Sequence, residues 1–484
     1  LGGGLPVNRL YLVKGTPGVG KTTFGLQFLL TGQKHDEQGM YVSLSESRDE
    51  LAAIAHSHGW LLDGLAVHEV ATGQTNPPSG EEDPRYTVFH PSEIELETVT
   101  RSILDETKRI RPRRLIIDSL SELRLLAGDP LRYRRQILAL KEYFTSWPCT
   151  VLLLDPASDA GPEFETLAYG VISLEAFIPP YGRKRRRVRV AKLRGVNVDD
   201  GYHDFKIETG GMVVYPRLVA SEHRTHAKPE RVASGVKNLD RLLGDGLFRG
   251  SSTLVMGAAG TGKSTLCMQY ALSACQRGER AAVFSFDESR EMWITRAHSM
   301  KVPIDPYIEN GQLTIQPIDP GELAPNEFID LVRKTVDREH AQLVVIDSLN
   351  GYLHATPDEK FLTGQLHELL MYMADRVVLT LLVVAQEGLI GTGIQAPVEI
   401  SYLADAVVLL RYFEHAGQVR QAISVVKKRY GRHERTIREM TLGEGGVHVG
   451  EPLEQFHGVL SGMPVYQGPS QPLLGAPVVP NNRQ

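Results

Sequence analysis

The 484 residues carry a formal net charge of −5, with 42% hydrophobic and 23% charged residues. At about 100–200 residues per domain, this length calls for two to four globular domains with sizeable cores, and the acidic balance leaves no global basic field to draw the chain to nucleic acid. Three cysteines without patterned spacing, and no apolar run of about 18 residues, speak against a disulfide scaffold, a zinc site and a membrane span, and point to a reducing, cytoplasmic setting.

The first predicted element is a buried strand over residues 10–13. It runs into Gly15-Thr16-Pro17-Gly18-Val19-Gly20-Lys21-Thr22. A glycine loop of this spacing between a strand and a helix wraps phosphates with backbone N–H groups. A second strand over 40–44 leads to Ser45-Glu46. A carboxylate at that point orients or deprotonates an attacking water or another nucleophile. His56-Ser57-His58 reads as an exposed helix end. Leu96, Val99, Ile103 and Leu104 share one helical face, ahead of a strand over 115–117 that ends on Asp118-Ser119. An aspartate closing an apolar strand downstream of a glycine loop is the metal-holding position of nucleotide sites. A further strand covers 151–154, and a charged hairpin region covers 183–193. The basic run Arg183-Lys184-Arg185-Arg186-Arg187 lacks the interleaved aromatics of a stacking surface, which favours a solvated hairpin or subunit contact over nucleic acid. Lys192-Leu193-Arg194 offers cations for the charge of a transferring phosphate.

The pattern then repeats. Gly257-Ala258-Ala259-Gly260-Thr261-Gly262-Lys263-Ser264 restates the glycine loop, with Lys263 242 positions after Lys21. Asp287-Glu288 returns at that same offset, Asp347-Ser348 at 229, and Lys427-Lys428-Arg429 at 235. Strands are expected over 253–256, 282–286, 343–346 and 381–384, with a second charged hairpin over 422–436. Apolar strands alternating with helices imply, in each half, a mostly parallel twisted sheet flanked by helices. All four repeated motifs are expected at the carboxyl ends of the strands, where such sheets bind ligands. The fold class is α/β, two tandem RecA-like P-loop NTPase domains. They span 1–216 and 232–461, joined by a linker over 217–231 and followed by a mobile Pro/Gly-rich tail over 462–484. Residues 1–5 align with 243–247, whereas 234–240 have no counterpart in the first copy. Roughly a dozen residues of the first domain's edge are therefore expected to be missing.

These positions assign chemistry. The two glycine loops hold the phosphates of ATP, with Lys21 and Lys263 on the β- and γ-phosphates. Thr22 with Asp118, and Ser264 with Asp347, hold Mg²⁺, and Glu46 and Glu288 act on the nucleophile.

The doubled glycine loops, Ser45-Glu46, Asp287-Glu288, Lys192-Leu193-Arg194-Gly195, the opening motif Ser234-Gly235-Val236 before Leu239-Asp240, and Ile400-Ser401-Tyr402-Leu403-Ala404-Asp405 together resemble the KaiC family of tandem RecA-like ATPases. The resemblance runs to about Ser461. It implies a homo-hexameric double ring with ATP between neighbouring subunits. It assigns Lys192 and Arg194, and Lys427 and Arg429, to the adjacent subunit's nucleotide. It also implies slow ATP hydrolysis in the first ring and serine/threonine autokinase activity in the second. The family has two adjacent glutamates where this chain has Ser45-Glu46 and Asp287-Glu288. It has a Ser-Thr pair where this chain has Ser401-Tyr402, leaving Ser401 as the candidate phosphoacceptor. The tail does not resemble the clock protein's regulatory tail, so a KaiC-like signalling ATPase with a protein partner fits better than an oscillator. Two alternatives stay open: a DNA-stimulated ATPase of the RecA or RadA type, and an ATP-gated hexameric scaffold for a protein partner.

Overall fold

The computed structural model describes residues 4–70, 91–156, 162–179, 182–220, 230–354, 359–386, 401–460 and 464–468. The chain divides into two compact units, Leu1–Arg217 and Leu218–Gln484. Among the described residues, no helix is long and apolar enough to cross a membrane.

The first unit is built on nine strands: β1 (Leu10–Gly15), β2 (Gly39–Ser43), β3 (Ala66–Glu69), β4 (Arg114–Asp118), β5 (Thr150–Asp155), β6 (Gly170–Phe177), β7 (Arg185–Leu193), β8 (His203–Glu208) and β9 (Gly211–Tyr215). They lie side by side in the order β3-β2-β4-β5-β1-β6-β7-β8-β9. The first six in that order pair in parallel, and β6 to β9 continue as an antiparallel meander. Successive side chains of a strand point to opposite faces. Leu10 and Leu12 accordingly enter one apolar layer with Ile103 and Leu140, while Tyr11 and Val13 enter the other with Leu26 and Leu29. Both faces are covered, as continuous apolar strands require. The helix Pro91–Ile110 buries Leu96, Val99 and Ile103, the face read from their spacing.

The second unit repeats this order with Leu313–Pro317, Arg280–Ser285, Ala341–Asp347, Leu379–Ala385, Ser252–Gly257, Ala406–His415, Gln418–Lys428, Ile437–Gly443 and Gly446–Pro452. Leu218 and Ala220, at the start of the segment read as a linker, are buried within the second unit. Val465–Tyr466, in the segment read as a tail, pairs with Phe456–His457, and 469–484 lie outside the described residues.

One expectation is corrected. β6 runs beside β1 with Gly170 opposite Tyr11 and Leu174 opposite Gly15, and β7 returns so that Lys192 pairs with Val171. Lys192 therefore lies at the amino ends of the parallel strands, at the far end of the sheet from Gly15. Lys427 pairs with Val407, and Val407 stands beside Leu254, so the second copy does the same. Three repeated motifs sit at carboxyl ends. The fourth does not, because the second strand of a hairpin returns to where the first began.

Candidate active sites

Each glycine loop is shaped by close backbone approach. A Cβ on Gly15 would stand 2.6 Å from the Leu174 carbonyl oxygen, and one on Gly257 would stand 2.6 Å from that of Leu410. Gly20 and Gly262 adopt φ of 115° and 95° and lead directly into the helices Lys21–Gln33 and Lys263–Gln276. The first N–H groups of a helix lack intrahelical partners, and the helix dipole adds positive potential there, so both loops present an anion cradle. Lys21 Nζ donates to the Gly15 carbonyl at 2.7 Å, and Lys263 Nζ donates to that of Ala258 at 2.7 Å. Burial lowers the pKa of both lysines, opposed mainly by Asp118 at the first and Asp347 at the second.

Asp118 and Asp347 end their strands almost fully buried. The Thr22 hydroxyl donates to Asp118 Oδ2 at 3.5 Å, and the Ser264 hydroxyl bonds Asp347. Burial pushes the Asp347 carboxyl up to about 6, with the Ser264 bond opposing. A hydroxyl beside a buried carboxylate is the hard-oxygen pairing that suits Mg²⁺ with substrate phosphates, so the residues fit that ion. Sequence reasoning missed Tyr41, whose hydroxyl donates to Asp118 Oδ2 at 2.5 Å. The second copy has Val283 at the same offset.

Glu46 and Glu288 are positioned by one shared device. The Ser43 hydroxyl donates to the Glu46 carbonyl and accepts from its N–H, and Ser285 does the same for Glu288. Ser47 and Ser289 then cap the helices Arg48–Ser57 and Arg290–Ser299. Leu44 N donates to the Asp118 carbonyl at 2.7 Å and Phe286 N to that of Asp347 at 2.6 Å, which ties each glutamate loop to the metal-site strand. Glu46 Oε2 is buried with no hydrogen-bond partner among the described residues. Burial raises the Glu46 pKa, as do Asp118 and Glu50, against the pull of Lys21. Glu288 is engaged instead in an ion pair with Arg296. Arg296 was also missed; aligning the copies at the lysine offset sets it against Ile54 and gives the signal.

The late cations face elsewhere. Lys192 Nζ donates to the carbonyls of Glu165, Thr166 and Ala168, and Arg194 to that of Thr166. Lys427 donates to the Ser401 and Ala404 carbonyls, and Arg429 pairs with Asp405 at 3.2 Å and donates to the Tyr402 carbonyl. Arg429, Tyr402, Asp405 and His367 line an open cavity of about 940 Å³ at that end. Ser401 is exposed there, while Ile400 lies outside the described residues. The basic run is largely absorbed by its own hairpin. Arg185 is buried, and Arg187 pairs with Glu175 at 2.8 Å and stacks on Tyr202 at 3.8 Å. Lys184 Nζ reaches the Gly18 carbonyl at 3.4 Å, where the second unit has Gln421 Nε2 on Gly260 at 3.3 Å. His56 and Ser57 are exposed at a helix end, and His58 is half-buried beside Thr23.

Two RecA-like sheets, each with a glycine loop, a buried strand-end aspartate and a loop glutamate at one end, define a tandem P-loop nucleotide-binding ATPase. A family model described as the KaiC ATPase matches residues 1–219 and again 232–454. The chain belongs to the KaiC ATPase family. It is 28% identical over 478 residues to the circadian clock oscillator protein KaiC of Picosynechococcus sp., covering 96% of this chain and 89% of that protein. It is 27% identical over 481 residues to the circadian clock protein KaiC3 of Synechocystis sp., covering 97% and 93%. The KaiC of Synechococcus elongatus is 27% identical over 475 residues, covering 96% and 89%.

Proposed function

We propose that this KaiC-family ATPase binds Mg²⁺–ATP at both glycine loops and hydrolyses it at sites shared between neighbouring subunits of a homo-oligomeric, family-type hexameric ring. The observation that carries the reading is the placement of Lys21, Asp118 and Glu46 at one end of the sheet, with Lys192 and Arg194 at the other. Four residues of strand separate Tyr11 from Gly15, about 13 Å at ~3.3 Å per residue. Lys192 and Arg194 are thus remote from their own loop and serve a nucleotide that an adjacent subunit brings to that end.

Within each site the loop N–H groups and Lys21 or Lys263 orient the phosphates. Thr22 with Asp118, and Ser264 with Asp347, would hold Mg²⁺, which neutralises phosphate charge when bound. Glu46 and Glu288 accept the proton of the attacking nucleophile. Arg194 and Arg429 stabilise the charge that develops on the transferred phosphoryl group. In the second site the nucleophile is water or the hydroxyl of Ser401. Ser401 lies at the end of the sheet remote from Glu288 of its own unit, so its phosphorylation would also run between subunits. Signalling through a protein partner, as the clock relatives' names suggest, is the cellular role we favour.

Mixing tests this reading. Lys21→Ala/Lys263→Ala subunits and Arg194→Ala/Arg429→Ala subunits are each expected to be inactive. Mixed before assembly, they regain activity, because some interfaces join an intact loop to an intact arginine. Mixtures that stay inactive, while native mass measurement shows mixed rings, refute shared sites. Mapping label from γ-labelled ATP onto Ser401 decides the kinase step.

A further inference from the structure

The two loop glutamates are delivered by the same serine bridge and the same helix cap, yet their carboxylates meet different surroundings. In the first unit Glu46 Oε2 is buried and without a partner among the described residues. In the second, Arg296 reaches back eight residues, from the second turn of the helix Arg290–Ser299, and ion-pairs with Glu288 Oε2. The guanidinium lies 5.5 Å from the Trp293 ring centroid, and Trp293 is only 1% exposed. At the same offset the first unit has Ile54 for Arg296 and Leu51 for Trp293. An aliphatic pair has thus been replaced by a cation and the aromatic wall that backs it. The Arg296 side chain is 24% exposed and that of Glu288 36%, so solvent screens the pair in part.

A carboxylate oxygen that already accepts from a guanidinium is turned toward that cation and is not free to receive a nucleophile's proton. We propose that Arg296 is a positioning residue that latches Glu288 out of use, so that the second site turns over only when the pair opens. The inference rests on the reading of Glu288 as the base. The step held back is transfer of the nucleophile's proton to the Glu288 carboxylate. Among the described residues, no cation pairs with Glu46.

The test uses the full chain with Lys21→Ala, which leaves the second site to report alone. On that background Arg296→Ile is expected to raise kcat about fivefold, the size of a partly screened ion pair, with KM for ATP unchanged. Arg296→Gln keeps the side chain polar and serves if the Ile variant does not fold; it is expected to give the same rise. Arg296→Lys restores a cation and returns kcat toward the parent value, which a packing effect would not do. An unchanged or lowered kcat overturns the latch. So does a raised KM with constant kcat, which would make Arg296 a nucleotide ligand. Glu288→Gln on the same background separates the two claims. If it abolishes turnover while Arg296→Ile gives no rise, the base stands and the latch fails. If Glu288→Gln changes nothing, the base reading and the latch fall together.

Discussion

The two units share one strand order but fill the same positions with opposite chemistry. At the end of β5 in the first unit, Asp155 is fully buried, receives Arg124 Nη2 at 3.4 Å, and Arg124 in turn lies 5.2 Å from the Tyr133 ring centroid. At an offset of 229 the second unit has Val384, Leu353 and Leu362, all packed in one apolar cluster. The fold accepts either set, so the sheet itself does not require the charges. Their placement is informative, because Asp155 also acts electrostatically on Lys21. Around the first site, charge is concentrated behind the loop lysine, and Glu46 Oε2 has no partner among the described residues. Around the second, the three matching positions are apolar, Asp287 acts on Lys263 instead, and the base is held by Arg296. The two units keep one scaffold and differ at the side chains behind and beside the glycine loops.

The comparison can be broken most directly at the glutamates. With only the first site intact through Lys263→Ala, Glu46→Gln is expected to lower phosphate release about 10²- to 10⁴-fold. Glu288→Gln in Lys21→Ala should cost less, since that base is already restrained. Equal losses in single-site steady-state assays would erase the difference. Next comes Arg124→Leu, which removes a guanidinium from beside the fully buried Asp155 and should destabilise the first unit by about 3 kcal/mol. Adding Asp155→Val, to copy the second unit, should bring stability back to within about 1 kcal/mol of the parent in denaturant unfolding.

Smaller effects sharpen it. Tyr41→Phe removes the hydroxyl that orients Asp118 and is expected to raise the Mg²⁺ concentration for half-maximal first-site activity about tenfold, as for other outer-shell partners. Finally, Glu46 must be ionised to accept a proton, and burial together with Asp118 and Glu50 raises its pKa against Lys21. First-site kcat should therefore fall with decreasing pH at a midpoint above the usual carboxylate value of about 4.3. A limb at or below that value would contradict a half-buried base whose Oε2 is shielded from solvent.

The repeat, both glycine loops and the strand ends carrying Asp118 and Asp347 were legible in the sequence, because loop glycines and strand periodicity are local properties. The location of Lys192 and Arg194 was not. Their spacing reveals a charged hairpin, but which end of the sheet they reach depends on the direction of β6 relative to β1. Arg296 and Tyr41 were invisible for another reason. Each lies on an element with no motif of its own, and its meaning comes from a carboxylate brought near by folding. Laying the copies side by side would have exposed both, since Arg296 stands against Ile54 and Tyr41 against Val283.

Trp293 has an optical consequence. The chain has three tryptophans, Trp60, Trp147 and Trp293, and only the last belongs to the second unit. Its indole is buried against the guanidinium that holds Glu288. With the other two replaced by phenylalanine, and with excitation at the red edge where the 17 tyrosines do not absorb, emission would come from a single reporter. Its emission would follow that arginine's movements in real time, without dye or label, while the first unit stays dark.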